Sequence, residues 1–318
     1  MQTYYFKKIR FDYFLIIFNL VLCSVFSQAH AEVPLDIEGL LTKKGVFRLE
    51  NSITYSQNES DRYLTDQPLL IQTGENSYVY VPTNLSTQNS QQDTLVYGLN
   101  LRYGLTARTE LYARASYIYN QSRYQTGTEQ KSQSNRQFQD MWLGTNFRIM
   151  KEGDYPALLM FADIQATQKL TDKSVYGKAY TLGLTSYRTI DPLVLSISLA
   201  YLGARAYETQ GATVKTGQVW NITPQVSFAV NEKATLQFGL TWRNQWASKR
   251  DGIANSLRKT STAISLGLGY ALTDQHSISG FVRQNNTNRG AEMGISWQME
   301  WGGAMRQAKQ SKQIDPAQ

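Results

Sequence analysis

The sequence predicts an all-β fold, a transmembrane antiparallel up-and-down β-barrel of about twelve strands, with fourteen as the alternative count. Three observations predict it. Segments of about ten residues alternate apolar and polar side chains, short turns return at roughly forty-residue intervals, and aromatic residues sit at strand ends beside those turns.

Residues 1–31 read as a leader outside the fold. Lys7, Lys8 and Arg10 form a basic start, Tyr13 to Phe26 is almost wholly apolar, and Ala29-His30-Ala31 supplies a small-x-small cleavage pattern. A stretch of that length reads as a secretory signal rather than an anchor helix. Cys23 follows Leu22 instead of the small residue that precedes a lipidated cysteine. Residues 32–318 contain no cysteine, so the exported chain must hold without disulfides. The net charge of +7 is spread along the chain, and no dense basic block points to nucleic acid.

Residues 32–45 read as a short amphipathic segment. Ile37, Leu40 and Leu41 have helical spacing, Pro34 suits a first turn, and Gly45 follows the end. The segment is too short to be stable alone. It is expected to fold back as a plug in the mouth of the barrel; a disordered leader is the alternative.

The barrel is expected over residues 46–301. Thr94 to Tyr103 places Leu95, Tyr97, Leu99, Leu101 and Tyr103 on one face and Val96, Gly98, Asn100 and Arg102 on the other. Successive strand side chains point to opposite faces, so one side suits lipid and the other water. Thr109 to Tyr119 and Leu193 to Tyr201 repeat the pattern, as do Leu236 to Arg243 and Met293 to Trp301. Mean hydropathy of −0.41 fits a barrel whose polar lumen dilutes its lipid-facing residues.

Short turns are expected at Leu105 to Arg108, Lys151 to Asp154, Ile190 to Pro192, Asn231 to Lys233 and Thr273 to Gln275. Longer polar connections such as Gln121 to Arg136 and Arg205 to Lys215 lie between them. Short turns in the periplasm and long loops outside are the arrangement of outer-membrane barrels. The stretch Gln57 to Gln92 is ambiguous. Leu69-Leu70-Ile71 and Ser77 to Val81 flank Gly74-Glu75-Asn76 and have hairpin character, but both runs are short and Pro82 stops the second. They read as a structured external loop, and counting them as wall strands gives fourteen.

Tyr103, Phe147, Phe228, Tyr270 and Trp301 end strands just before short turns or the tail and are expected to form a periplasmic aromatic girdle. Tyr187 has the same position, but alternation from Leu184 turns it inward. Residues 302–318, with Arg306, Lys309 and Lys312, read as a flexible periplasmic tail.

Alternation sends Arg48, Glu50, Arg102, Arg114, Arg148, Asp163, Arg243, Arg283 and Glu300 inward as candidate pore-lining residues. A basic group facing lipid at mid-membrane would cost roughly 2–4 kcal/mol. Their arginine excess points to a water-filled pore favouring anionic solutes or polar peptide. Pairing across a filled lumen is the other reading.

No catalytic constellation can be built. His276 is the one histidine after the leader and is expected beside a short turn, far from where a general base would meet an outside substrate. No cysteine, histidine and carboxylate spacing suggests a metal, and no cofactor is expected.

Several motifs resemble one family. Gly45-Val46-Phe47-Arg48-Leu49-Glu50 leads to Ser52-Ile53-Thr54-Tyr55-Ser56, followed by Asp93-Thr94-Leu95 and Leu101-Arg102-Tyr103-Gly104-Leu105-Thr106 with Glu110-Leu111. Asp140-Met141-Trp142-Leu143-Gly144 and Tyr155-Pro156-Ala157-Leu158 complete the set. The order resembles the outer-membrane barrel family named for the meta-pathway of phenol degradation, which is similar to the barrel domain of the Fap functional-amyloid exporter. The chain departs at Gln139, where that family has glycine, and at Gln165 to Lys169, where it has proline-threonine-glycine. Glu32 to Lys44 is too short for the exporter's coiled coil.

The resemblance implies an outer-membrane channel or export pore, its cargo a secreted peptide or amyloid-like subunit, or else a small, aromatic molecule taken up. A structural or adhesive barrel with a filled lumen is the alternative. Expected partners are outer-membrane lipid, the barrel-assembly machinery through the last strand, and a second copy of the chain.

Overall fold

The computed structural model describes residues 41–60, 69–81, 90–126, 129–170, 174–209, 211–286 and 290–302. The leader, Ile37, Leu40 and the tail from residue 303 lie outside the described residues. Twelve strands form the wall. They are β1 (Val46–Ser60), β2 (Ser90–Gly104), β3 (Thr109–Thr126), β4 (Glu129–Met150), β5 (Ala157–Lys169) and β6 (Ala179–Ile190). After them come β7 (Leu193–Ala204), β8 (Val219–Ala229), β9 (Ala234–Gln245), β10 (Lys259–Ala271), β11 (His276–Asn285) and β12 (Ala291–Gly302).

Each wall strand pairs antiparallel with its sequence neighbours, and β1 pairs with β12 from Val46↔Gly302 to Gln57↔Ala291. That last pairing closes the sheet, so the wall leaves no long unpaired edge; in lipid, every backbone polar group must be satisfied in this way. No helix among the described residues is long and apolar enough to cross a membrane.

The alternation holds around most of the wall and is broken by bulges in β4, which bury both Gln139 and Asp140 and expose both Ile149 and Met150. Leu95, Tyr97, Leu99 and Leu101 are exposed on the outer face, as are Leu195, Ile197 and Leu199, and also Leu236, Phe238, Leu240 and Trp242. Their intervening neighbours Val96, Ser198, Ala200 and Thr241 are buried inside. The five short turns join the strands at one end, as expected. At the other end β3 and β4 run to 18 and 22 residues, so most of the expected loop Gln121 to Arg136 is a projecting hairpin. Residues Tyr207–Thr209, Ala212–Lys215, Lys249–Arg250 and Ile253–Ala254 form a small separate sheet there. The final strand runs one residue past the expected barrel end, to Gly302.

The buried apolar residues lie inside the barrel. Tyr187 turns inward, 6% exposed, as its alternation implied. Phe147, Phe228, Tyr270 and Trp301 face outward near the short-turn end, and half-buried Tyr103 lies 4.6 Å from the Phe47 ring, which stacks on Trp301 at 5.7 Å.

Candidate functional site

The stretch between β1 and β2 departs from the expected external loop. Leu69–Gln72 and Tyr78–Val81 pair as an antiparallel hairpin, from Leu69↔Val81 to Gln72↔Tyr78, and the hairpin lies within the lumen. It joins no wall strand, so the fourteen-strand count fails. Its sequence is apolar on both faces, and each face has a surface to cover. Leu70, Tyr78 and Tyr80 pack with Phe161, Ala200, Leu202 and Val219 of the wall. Ile71, Val79 and Val81 pack with Val96 and Ile118 on the opposite side.

Polar groups of the wall hold the hairpin backbone. Arg243 donates to the Leu70 carbonyl at 2.9 Å, Arg283 to that of Gln72 at 3.1 Å and Gln139 to that of Tyr80 at 2.7 Å. At the tip, Arg114 reaches the Asn76 carbonyl at 3.5 Å, and the Ser198 hydroxyl donates to the Asn76 side-chain oxygen at 2.9 Å. Backbone carbonyls inside a protein need donors, and cationic donors give the stronger bonds.

The arginines expected in the lumen are there, but their excess is not. Arg48 pairs with Glu300 at 2.5 Å, Arg114 with Asp163 at 3.1 Å, and Arg283 with Glu292 at 2.8 Å. Arg102 lies 3.5 Å from Glu110 and 4.0 Å from Glu50. Arg243 donates to Asn221 at 2.9 Å, and Arg148 is buried on the inner face. Three carboxylates outside the expected set, Glu110, Asp140 and Glu292, balance the six arginines against Glu50, Asp163 and Glu300. Glu75 on the hairpin tip adds a negative charge, and Lys259 on the wall and buried Lys178, which donates to Gln168 at 2.9 Å, add positive ones. The arginine-excess reading is therefore corrected: six carboxylates match the six arginines of the lumen, as buried charges require. Asp140 accepts hydrogen bonds from Ser116, from the Trp142 indole at 3.0 Å and from Gln165 at 3.2 Å. Strand alternation alone would have placed Glu110, two residues before Tyr112, on the inner face.

Beside the hairpin a cavity of about 370 Å³ remains. Its two sides differ. The β1–β4 side carries Arg48, Glu50, Arg102, Arg114 and Asp140, whereas the β8–β12 side is mostly glycine, serine, threonine and glutamine. Gln237 and Ser279 point inward on that side and are nonetheless exposed.

The chain also enters the lumen from the short-turn end. Leu41, 3% exposed, packs with Ala157, Leu159, Tyr187 and Val194. The Thr42 backbone N–H donates to the Glu110 carboxylate at 2.6 Å and its hydroxyl at 2.5 Å. Glu110 also accepts from Asn146 at 2.7 Å. A Cβ on Gly104 would collide with the carbonyls of Thr42 and Lys43, so glycine is what lets this segment lie against β2.

His276 faces outward, stacked on Trp297 at 5.7 Å. Among the described residues no three histidine, cysteine or carboxylate groups converge as a metal site.

Solved structures share this architecture. An outer-membrane channel from Pseudomonas putida F1 superposes with a TM-score of 0.58 at 10% identity, covering 82% of this chain and 97% of that one. This chain has the fold of an outer-membrane β-barrel. The transport unit of the autotransporter AIDA-I from Escherichia coli is similar with a TM-score of 0.51 at 11% identity, covering 87% and 93%. No family model matches the chain.

Proposed function

We propose that this protein is a channel of the bacterial outer membrane, passing small polar solutes between the lumen hairpin and the β8–β12 wall. One observation carries this reading: Gln237 and Ser279 point into the barrel and still meet solvent, so the hairpin fills only part of the lumen. The similarity to a solved outer-membrane channel supports it. In this reading the short turns and both termini are periplasmic, and the long-loop end faces outward. The outward aromatics form the interfacial girdle against lipid, and β12 is what the assembly machinery reads. Leu41 to Lys44 act in this reading as a periplasmic plug. A secreted peptide or amyloid-like subunit, the cargo implied by the exporter resemblance, would need the hairpin displaced, so small solutes are favoured.

A filled structural barrel is the second reading, favoured by the grip of wall side chains on both faces of the hairpin. Planar-bilayer recording separates the two. The intact chain is expected to give small current steps, and replacing residues 69–81 with a short glycine-serine linker is expected to enlarge them. Silence from both proteins, with the barrel folded, would leave the filled barrel standing.

A further inference from the structure

The cavity beside the hairpin combines two properties. Its arginines are locally cancelled: Arg48, Arg114 and Arg283 each have a carboxylate within 3.1 Å, and Arg102 has Glu110 at 3.5 Å. Its unused hydrogen-bonding groups are mixed. The Nε–H groups of Arg102 and Arg283 are buried donors without a partner among the described residues. Gln72 Oε1 and Asn100 Oδ1 are buried acceptors in the same position, and the Thr54 hydroxyl, which can donate or accept, is a third unserved oxygen. All five residues line the cavity.

Buried polar groups call for partners. A carboxylate ligand only accepts, so it would serve the two arginines and the Thr54 hydroxyl and leave the amide oxygens of Gln72 and Asn100 unserved. An ammonium only donates and would do the reverse. A hydroxyl does both. The facing β8–β12 side offers the same double character through Ser265, Ser279, Ser296, Thr241, Gln237 and Gln298. Among the described residues one aromatic ring lines the cavity, that of Phe281, and it already packs 5.0 Å from the Arg283 guanidinium. An apolar or aromatic solute would strip water from these groups without replacing its hydrogen bonds, at a cost of about 1–3 kcal/mol per group.

Resting on the channel reading, we infer that this cavity is a passage site for small, uncharged, hydroxyl-rich solutes of the monosaccharide or polyol class. Its volume lies near the lower end of small-molecule sites, which run from about 300 to 1,000 Å³.

Liposome swelling with the full chain tests it, using glucose against gluconate and glucosamine, paired with planar-bilayer recording on the same preparation. The expected result is glucose flux roughly tenfold above either charged sugar. Thr54→Val is isosteric and removes one unserved hydroxyl. It should slow glucose by about threefold to tenfold, the loss of one hydrogen bond, with heat-modifiable gel migration showing that the barrel has folded. Ion current together with gluconate or glucosamine flux equal to that of glucose would overturn the inference and leave the channel intact. So would a glucose rate untouched by T54V. Neither current nor swelling, in the intact chain or with residues 69–81 replaced, would overturn the channel reading and this inference with it.

Discussion

Replacing Arg243 with methionine probes how firmly the hairpin is docked. Burying Leu70, Ile71, Tyr78, Val79, Tyr80 and Val81 stabilises the docked state by about 1.5–3 kcal/mol per side chain. Fixing each backbone residue from 69 to 81 costs about 1–2 kcal/mol. The two terms are of the same order, so the cationic hydrogen bonds decide the balance. Arg243 supplies one of these, to the Leu70 carbonyl at 2.9 Å, and places its guanidinium 5.9 Å from the Tyr78 ring centre. A hydrogen bond to a charged group contributes about 1.5–3 kcal/mol, so R243M should raise the undocked fraction about 10- to 150-fold. Methionine keeps most of the side-chain volume and introduces no new charge. The readout is a cysteine at Val81, a fully buried position where the substitution changes little volume; residues 32–318 have no other thiol. When opening is fast relative to labelling, the rate with a membrane-impermeant maleimide tracks the open population. R243M should accelerate labelling at least tenfold over V81C alone and lengthen high-conductance dwells. Labelling within twofold of the parent, in barrels that still migrate as folded, would refute the reasoning.

Glu110→Gln weakens the contact that holds residues 41–44 in the opposite mouth, since the carboxylate accepts both Thr42 donors. A cysteine at Leu41 should then label about tenfold faster from the short-turn side, and an unchanged rate would mean that packing against Tyr187 alone holds the segment. At the long-loop end, burial pushes Lys178 down to about 8, with Asp140 opposing. Its ordinary value is 10.5, so the folded state gives up this proton more readily than the unfolded chain. Below about pH 8 both states carry the charge and the fold bears its burial cost; between 8 and 10.5 that cost is relieved and stability rises with pH. Thermal unfolding in detergent should show the rise in the parent and not in Lys178→Met. Parallel curves would rule it out.

The wall was legible because lipid and water impose a period of two on a strand, and an outward row such as Leu95 to Leu101 carries it cleanly. The lumen was less so, for two separate reasons. The hairpin left a signal that no single strand reveals. Val96, Ile118, Phe161, Leu202 and Val219 are apolar at inward positions, which an open polar lumen would not favour. Meanwhile Leu69 to Ile71 and Tyr78 to Val81 are apolar on both faces, which a solvent-exposed loop would not favour either. Each set is an exception that the other explains, because a two-faced apolar hairpin needs two apolar surfaces.

The charge pairs left no comparable signal. Arg48 meets Glu300 across 252 residues, and only the register of the closing β1–β12 pair brings them level. Counting inward charges strand by strand finds both signs, Glu292 and Glu110 included, but not which arginine each carboxylate meets, as Glu292 meets Arg283. Cancellation changes which property of the lumen can discriminate. Once the charges are paired at 3–4 Å or less, a passing ion gains little from them and loses its hydration. Discrimination then passes to the β8–β12 side, where most cavity-lining side chains are uncharged and their hydroxyl and amide groups can exchange hydrogen bonds with a solute that carries both donors and acceptors.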